Sequence, residues 1–258
     1  MARRGLARSR TQAAELIAAG RVTVDGVVAA KASSQVDPAQ AIVCTAIAEG
    51  PDYASRGGLK LAGALDELGE AGPVIEGRVA MDAGASTGGF TDVLLRRGAA
   101  HVTAVDVGYG QLAWELAKDP RVTVMDRTNV RHLEAGSIEP APELVVADLS
   151  FISLTTVLPA LASVAAEHAE FFLLVKPQFE VGREALPSGG VVRDPKAWTA
   201  AVEKVVHAAA KQGLGLQAVV RSPLPGPSGN VEFFCHLTRP SPTQHHPPLA
   251  PSMAKPDL

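Results

Sequence analysis

Four hydrophobic segments in the middle of the sequence each end at, or are followed by, an aspartate: Asp82, Asp106, Asp126 and Asp148. If these segments are parallel strands, their carboxyl ends meet at one edge of a sheet, which is where open α/β sheets bind ligands. An acid after the second strand can accept hydrogen bonds from a ribose diol, and one after the third can reach an adenine amino group. The spacing therefore predicts one shared site rather than four unrelated solvated loops.

The loop at residues 82–90 is rich in small residues and leads into a predicted helix. Small residues let a ligand approach the backbone, and a helix start offers free N–H groups, so the loop suits a cofactor or nucleotide. Ser86 stands at the third position of the dinucleotide fingerprint G-x-G-x-x-G, where a glycine is needed, and the Gly-Lys pair of a P-loop is absent. The loop does match G-x-S-x-G, the nucleophile elbow of α/β-hydrolases. A hydrolase is disfavoured because only a small basic unit precedes the loop and no histidine occurs before His101.

A lysine closes the most hydrophobic of the predicted strands, where Lys176 follows residues 171–175. A lysine is costly to bury unless it is paired with an opposite charge. Asp148, which ends the neighbouring strand at the same edge, is the expected partner. The alternative is an exposed lysine whose stem alone packs on the domain.

Hydrophobic periodicity predicts an α/β fold after residue 78, with strands that alternate with helices in a parallel sheet. The predicted strands are residues 79–82, 102–106, 122–125, 144–147, 171–175, 216–220 and 231–237. The predicted helices are residues 91–97, 111–117, 154–165 and 196–212. A connector at residues 50–77 contains a further helix, marked by leucines at helical spacing.

The first 49 residues form a separate unit with an excess of positive charge. A helix that starts near Ser9 and ends at Gly20 precedes a β-hairpin with the turn Asp25-Gly26, and Ile42-Val43 can close a small sheet. Six basic residues against two acidic ones give residues 1–31 a net charge of +4, although the whole chain is −3. The basic residues are Arg3, Arg4, Arg8, Arg10, Arg21 and Lys31. This clustering indicates a phosphate-contacting face, with an ordinary solvated surface as the alternative.

The totals of the 258-residue chain restrict the remaining possibilities. The two cysteines, Cys44 and Cys235, form neither a metal-ligand pattern nor a disulfide framework, which indicates a reducing compartment. The sequence has no apolar run long enough to span a bilayer, so we expect a cytoplasmic protein without a membrane partner. Residues 240–258 are Pro-rich and are expected to be a disordered tail. The oligomeric state is left open, with a monomer as the working assumption.

Several linked segments together resemble the TlyA family, which joins an RNA-binding module of the S-four type to an FtsJ-type methyltransferase domain. They are residues 5–10, 13–20, 55–61, 82–91, 106–111, 147–153, 174–180 and 225–232, and the resemblance covers roughly residues 1–239. It implies a Rossmann-like, seven-stranded methyltransferase sheet at residues 78–239 behind a small α+β RNA-binding domain. Relatives begin with a further helical turn before Gly5, so the module is expected to be short at its N-terminus.

The resemblance also implies a cofactor, a substrate and site residues. The cofactor is S-adenosylmethionine, and the substrate is a ribose 2′-hydroxyl of ribosomal RNA, free or in ribosomal subunits. The family's Lys-Asp-Lys-Glu catalytic set falls on Lys60, Asp148, Lys176 and Glu232, with Glu232 beside Lys176. The implied cofactor residues are Asp82, Gly84, Ala85, Ser86, Thr87, Gly88, Gly89, Phe90, Asp106, Asp126 and Asp148. Arg56 in the connector joins the six basic residues as an expected RNA contact.

The expected chemistry is an in-line displacement, in which Lys176 orients the hydroxyl or accepts its proton and Lys60 supplies a second positive charge. Two alternatives stay open from the sequence. One is a non-catalytic RNA-binding protein that kept the fold, which the presence of Lys176 and Glu232 disfavours. The other is a membrane-acting cytolysin, which the lack of a spanning segment or strongly amphipathic cationic helix disfavours.

Overall fold

A computed structural model describes residues 1, 4, 6–7, 10–18, 20–44, 52–182, 184 and 186–239. The predicted disordered tail at residues 240–258 lies outside this range, as do Arg3, Arg8 and Ser9. Helices and strands are numbered below in chain order.

The N-terminal unit is a helix beside a three-stranded antiparallel sheet. Its elements are α1 (Arg10–Ala18), β1 (Val22–Val24), β2 (Val27–Val28) and β3 (Ile42–Cys44), with sheet order β2-β1-β3. Asp25 and Gly26 have φ angles of 49° and 82°, the left-handed pair that a two-residue hairpin turn needs. The predicted hairpin and the closing strand are both confirmed.

The connector contains α2 (Arg56–Leu68), an amphipathic helix that lies between the N-terminal unit and the large sheet in the sequence. Leu61, Ala64 and Leu65 are buried on its inner face and pack with residues of α3 and the sheet. Lys60 lies on the same inner face. The helix ends at Gly69, where φ is 53°.

Seven strands form the large sheet, in the order β6-β5-β4-β7-β8-β10-β9. They are β4 (Val79–Ala83), β5 (His101–Val105), β6 (Val122–Met125), β7 (Leu144–Ala147), β8 (Glu170–Val175), β9 (Gly215–Arg221) and β10 (Phe233–Thr238). The prediction of an all-parallel sheet is wrong for β10, which runs antiparallel to both β8 and β9. No helix crosses between β9 and β10, and a direct return of the chain produces an antiparallel pair.

Helices cover both faces of the sheet and enclose two hydrophobic cores. They are α3 (Gly89–Arg96), α4 (Trp114–Ala117), α5 (Leu154–Val164), α6 (Pro177–Glu180) and α7 (Pro195–Ala210). One core packs α5 and α7 against Phe171 and Cys235, and the other packs α2 and α3 against Phe172 and Phe234. The predicted helix at 111–117 shortens to one turn, because Gly110 is left-handed and Ala113 has a ψ of 138°, which is not helical.

Candidate active site

Asp82, the first of the four predicted acids, is fully buried beneath the glycine-rich loop. Its Oδ2 accepts hydrogen bonds from the backbone N–H of Thr91 at 2.9 Å and from Thr91 Oγ1 at 2.7 Å. Burial raises the pKa of Asp82 to about 7; the Thr91 hydrogen bonds oppose this shift, and the charges of Asp148 and Asp106 add to it. Among the described residues, no hydrogen-bond donor reaches Asp82 Oδ1.

The glycine-rich loop turns tightly between β4 and α3. Gly84 has a φ of 85°, and a side chain there would lie 2.8 Å from the backbone oxygen of Asp148. Gly88 has a φ of 96°, and a side chain there would collide with Leu116. Ser86 is exposed, with a φ of 48°. In the described part of the chain no histidine hydrogen-bonds to Ser86, so the hydrolase alternative lacks its base.

Asp106 and Asp126 fix the loops next to the glycine-rich loop. Asp106 accepts hydrogen bonds from the backbone N–H groups of Ser86 at 2.8 Å and Gly108 at 2.7 Å. Asp126 accepts one from the backbone N–H of Gly110 at 2.8 Å. Both carboxylates are partly buried. The structure therefore brings the ends of β4, β5 and β6 into one hydrogen-bonded group of loops.

Asp148 and Lys176 form an ion pair across the ends of β7 and β8. Lys176 Nζ lies 2.6 Å from Asp148 Oδ1 and donates a second hydrogen bond to Ser150 Oγ at 2.8 Å. Lys176 is 7% exposed, so its charge is paired rather than solvated. The pairing expected from the strand-end rule is present in the structure.

Lys60 and Glu232 form a second buried ion pair at the same edge. Lys60 Nζ lies 2.6 Å from Glu232 Oε2, and Glu232 is 1% exposed. Glu232 was expected beside Lys176; its carboxylate instead contacts Lys60 of α2 and, at 3.4 Å, the amide of Gln178. The four residues thus stand as two Lys–carboxylate pairs.

Three residues of this edge escaped the sequence reasoning: Ser150, Phe151 and Phe179. Phe151 is 92% exposed and has a φ of 63°, which is rare for a bulky side chain. Its ring centroid lies 5.3 Å from that of Phe179, whose ring faces Lys176 Nζ at 5.9 Å. The available signal was a phenylalanine directly after the strand-end Asp148-Leu149-Ser150, but hydrophobic patterning assigns such a residue to the core.

The predicted RNA contacts are only partly described. Arg4 donates hydrogen bonds to the backbone oxygens of Asp37, Pro38 and Gln40, so its guanidinium holds a loop of the N-terminal unit. Arg56 donates to the backbone oxygen of Pro225 at 2.7 Å. Of the other basic side chains in this unit, Arg21 is partly buried and Lys31 is exposed.

Comparisons with known proteins agree with this geometry. The family profile of FtsJ-like methyltransferases matches residues 53–239, and that of the S4 domain matches residues 1–42. The chain is 54% identical to a 16S/23S rRNA (cytidine-2′-O)-methyltransferase TlyA of Mycobacterium tuberculosis, over 92% of this chain and 87% of the relative. The chain belongs to the TlyA family of FtsJ-like methyltransferases.

Solved structures extend the TlyA family match to the fold. A structure from Streptococcus thermophilus named as a hemolysin superposes with a TM-score of 0.74 at 39% identity, over 90% of this chain and 83% of that one. An S-adenosylmethionine-dependent methyltransferase structure from Listeria monocytogenes superposes with a TM-score of 0.52 at 17% identity, over 71% and 100%. The latter shares the fold alone.

The hemolysin name raises the question of a membrane segment. None of the helices among the described residues has the length and hydropathy needed to traverse a bilayer.

Proposed function

We propose that this protein transfers the methyl group of S-adenosylmethionine to a ribose 2′-hydroxyl of ribosomal RNA. The observation that carries the proposal is the pair of buried ion pairs, Lys176–Asp148 and Lys60–Glu232, at the ligand-binding edge of a methyltransferase sheet. The TlyA relative at 54% identity is named for cytidine 2′-O-methylation of 16S and 23S rRNA, which supports a cytidine in either subunit as the target.

The edge formed by β4, β5 and β6 suits the cofactor. We assign Asp106 to a ribose diol and Asp126 to an adenine amino group, while exposed Val107 and Tyr109 offer apolar surface for the adenine ring. The unpartnered Oδ1 of Asp82 is a buried acceptor next to the glycine-rich loop, and a donor on the ligand would satisfy it. When bound there, S-adenosylmethionine supplies an electrophilic methyl group.

Lys176 is the group we assign to orient the 2′-hydroxyl and receive its proton. Proton transfer to Lys176 requires its unprotonated amine, which donates its two N–H groups to Asp148 and Ser150 and turns its lone pair to the 2′-hydroxyl. As the hydroxyl oxygen bonds to the methyl carbon and the bond from that carbon to sulfur breaks, the hydroxyl proton passes to this lone pair. A second cation at Lys60, held by Glu232, stabilises negative charge that develops on the hydroxyl oxygen. Positioning of this kind is the main demand of an in-line displacement.

The exposed ring of Phe151 supports an RNA substrate. Proteins that act on RNA bases or riboses within a folded strand stack the unpaired base on aromatic side chains. Phe151 offers such a face in the loop that follows Asp148. Its left-handed backbone is not enforced by packing in the core, because the side chain is exposed.

The N-terminal unit, residues 1–49, is assigned to RNA binding, residues 50–77 to the connector and residues 78–239 to methyl transfer. Arg21 and Lys31, together with Arg3, Arg8 and Arg10, supply the cations for phosphate contacts. Arg4 and Arg56 act within the protein and, by their hydrogen bonds, hold loops that face the RNA.

Transfer of a radiolabelled methyl group tests this function. The acceptors are free rRNA, small subunits and large subunits from a strain that lacks the enzyme, and the control is Lys176→Ala. Label is expected in the RNA of at least one acceptor with the wild type and in none with the variant. Equal labelling by both proteins, or no labelling by the wild type, would overturn the proposal.

A further inference from the structure

Two segments that follow the neighbouring strands β7 and β8 lie opposite each other and are joined by three contacts. They are residues 148–154 and residues 176–180. The first contact is the ion pair of Asp148 with Lys176, whose charged atoms lie 2.6 Å apart. The second is the ring contact of Phe151 with Phe179, whose centroids lie 5.3 Å apart. The third contact is made by Glu180 at the far end of the two segments, and Glu180 is not one of the groups that act in the proposed transfer.

Glu180 is buried, and its carboxylate binds both the side chain and the backbone of the opposite segment. One oxygen accepts a hydrogen bond from the backbone N–H of Leu154 at 2.7 Å, and the other accepts one from Ser153 Oγ. The backbone oxygen of Glu180 accepts a hydrogen bond from Lys204 of α7 at 2.6 Å. Burial raises the pKa of Glu180, which the hydrogen bonds from Ser153 and Leu154 and the charge of Lys204 oppose.

The segment that Glu180 holds contains a strained residue. Phe151 has a φ of 63°, and a non-glycine residue keeps such a conformation only when its surroundings enforce it. Its side chain is 92% exposed, so core packing does not supply that constraint. The segment is instead fixed at both ends, by Lys176 at Asp148 and by Glu180 at Ser153 and Leu154.

We infer that Glu180 is a positioning residue for methyl transfer, which clamps residues 148–154 so that Phe151 and the Asp148–Lys176 pair face the RNA together. The inference rests on the function proposed above. Glu180 does not touch the reacting atoms, because its carboxylate is buried against Ser153 and Leu154. Loss of the Glu180 carboxylate removes the third contact, so that only the ion pair and the ring contact hold the strained loop.

The test compares Glu180→Ala, Glu180→Gln and a control, Glu203→Ala, which removes an exposed carboxylate from α7. Glu180→Ala is expected to lower kcat about 10- to 100-fold, since small misplacements of reacting groups have effects of this order. Its Kd for S-adenosylmethionine, measured by isothermal titration calorimetry, is expected to stay within about twofold, because Glu180 contacts Ser153 and Leu154 whereas Asp148 keeps its own contact with Lys176. Glu180→Gln is expected to retain most activity, because its amide can still accept from Leu154 and donate to Ser153.

A second readout follows the loop itself and does not depend on RNA. In protein with 13C-labelled phenylalanine, the nuclear Overhauser effect between the Phe151 and Phe179 rings is expected in the wild type, Glu180→Gln and Glu203→Ala, and is expected to disappear in Glu180→Ala. Ser153→Ala, which removes one of the two contacts, is expected to lower kcat less than Glu180→Ala and to weaken the effect.

Two outcomes would overturn the inference. One is a normal kcat with an intact ring contact in Glu180→Ala, or in Ser153→Ala if Glu180→Ala does not fold. The other is a loss of S-adenosylmethionine binding by Glu180→Ala that is as large as its loss of kcat. A wild type that labels no RNA refutes the proposed function, and with it the role in methyl transfer. The ring contact in Glu180→Ala then still decides whether Glu180 clamps the loop.

Discussion

The two edges of the large sheet both carry ion pairs, yet their surroundings differ. The carboxyl edge holds Asp148–Lys176 and Lys60–Glu232. The amino edge holds a cluster formed by Arg78, Glu143, Glu170 and His236, which we call the amino-edge cluster. In it His236 Nε2 lies 2.7 Å from Glu170, and Arg78 lies within 3.8 Å of both glutamates.

The amino-edge cluster uses its polar groups to join neighbouring parts of the fold. Glu143 accepts a hydrogen bond from the backbone N–H of Val79, and His236 Nδ1 lies 3.0 Å from the backbone oxygen of Ala71. The carboxyl edge instead combines paired charges with a strained, exposed Phe151 and an unpartnered oxygen of Asp82. A buried ion pair alone therefore does not mark an active site, whereas strain and unsatisfied groups beside it do.

Loss of the carboxyl-edge lysine should have the largest effect. Lys176→Ala is expected to lower kcat/KM about 10⁴-fold, because we assign to Lys176 the acceptance of the hydroxyl proton. The Kd for S-adenosylmethionine is expected to change only a few-fold, as measured by isothermal titration calorimetry. The matched control from the amino edge is Arg78→Ala, for which near-normal turnover per folded molecule is expected. Turnover close to wild type in Lys176→Ala would contradict the distinction between the edges.

Loss of Glu232 should affect activity and stability together. Glu232→Ala leaves Lys60 buried at 6% exposure without its partner, at a cost of up to about 5 kcal/mol in the free energy of unfolding. Urea unfolding measures that cost, and methyl transfer at a temperature where the variant is folded measures the activity. The double variant Lys60→Met with Glu232→Leu should recover stability without activity, and recovery of both would show that the pair is structural.

The pH dependence of stability isolates Asp82. Its pKa rises in the folded state from 3.8 to about 7, so the ionised form is disfavoured by folding. Stability is then highest below the unfolded-state pKa and falls as the pH rises from about 4 to 7, by roughly 4 kcal/mol. Urea unfolding at pH 5, 6, 7 and 8 should show this slope in the wild type and a flatter one in Asp82→Asn. Parallel slopes in the two proteins would refute the assignment.

The amino-edge cluster should respond least, and only in stability. Burial raises the pKa of Glu170, but the hydrogen bond and charge of His236, with Arg78, outweigh it and leave the pKa below its usual range. A depressed carboxyl pKa contributes stability above the unfolded-state value and loses it as the pH falls through the folded-state value. Glu170→Gln is therefore expected to cost about 1–3 kcal/mol at pH 7, with a smaller difference below about pH 4, and to leave kcat unchanged. A large drop in kcat would show that the two edges are coupled.

Much of the fold could be predicted because local pattern and strand position determine it. Alternating hydrophobic segments and helices located every strand of the large sheet, and Asp25-Gly26 located the small hairpin. The rule that strand ends meet at one edge predicted the Asp148–Lys176 contact. These features depend on neighbours in sequence or on the order of strands, which periodicity records.

The remaining features depend on contacts that periodicity does not record. The antiparallel direction of β10 follows from a loop return at residues 222–232, and hydrophobic patterning alone does not distinguish a parallel strand from an antiparallel one. Glu232 pairs with Lys60, 172 residues away in sequence, because α2 folds back over the sheet. The exposure of Phe151 and the use of Arg4 inside the N-terminal unit are likewise tertiary effects.

The most direct measurement of the central claim identifies the methylated atom. rRNA labelled by the wild-type protein is digested to nucleosides and separated by liquid chromatography with mass spectrometry, alongside RNA treated with Lys176→Ala and with Glu170→Gln. We predict a 2′-O-methylated nucleoside from the wild type and Glu170→Gln, and none from Lys176→Ala. A methyl group on a base, or equal product from Lys176→Ala, would contradict the assignment of ribose methylation to the carboxyl edge.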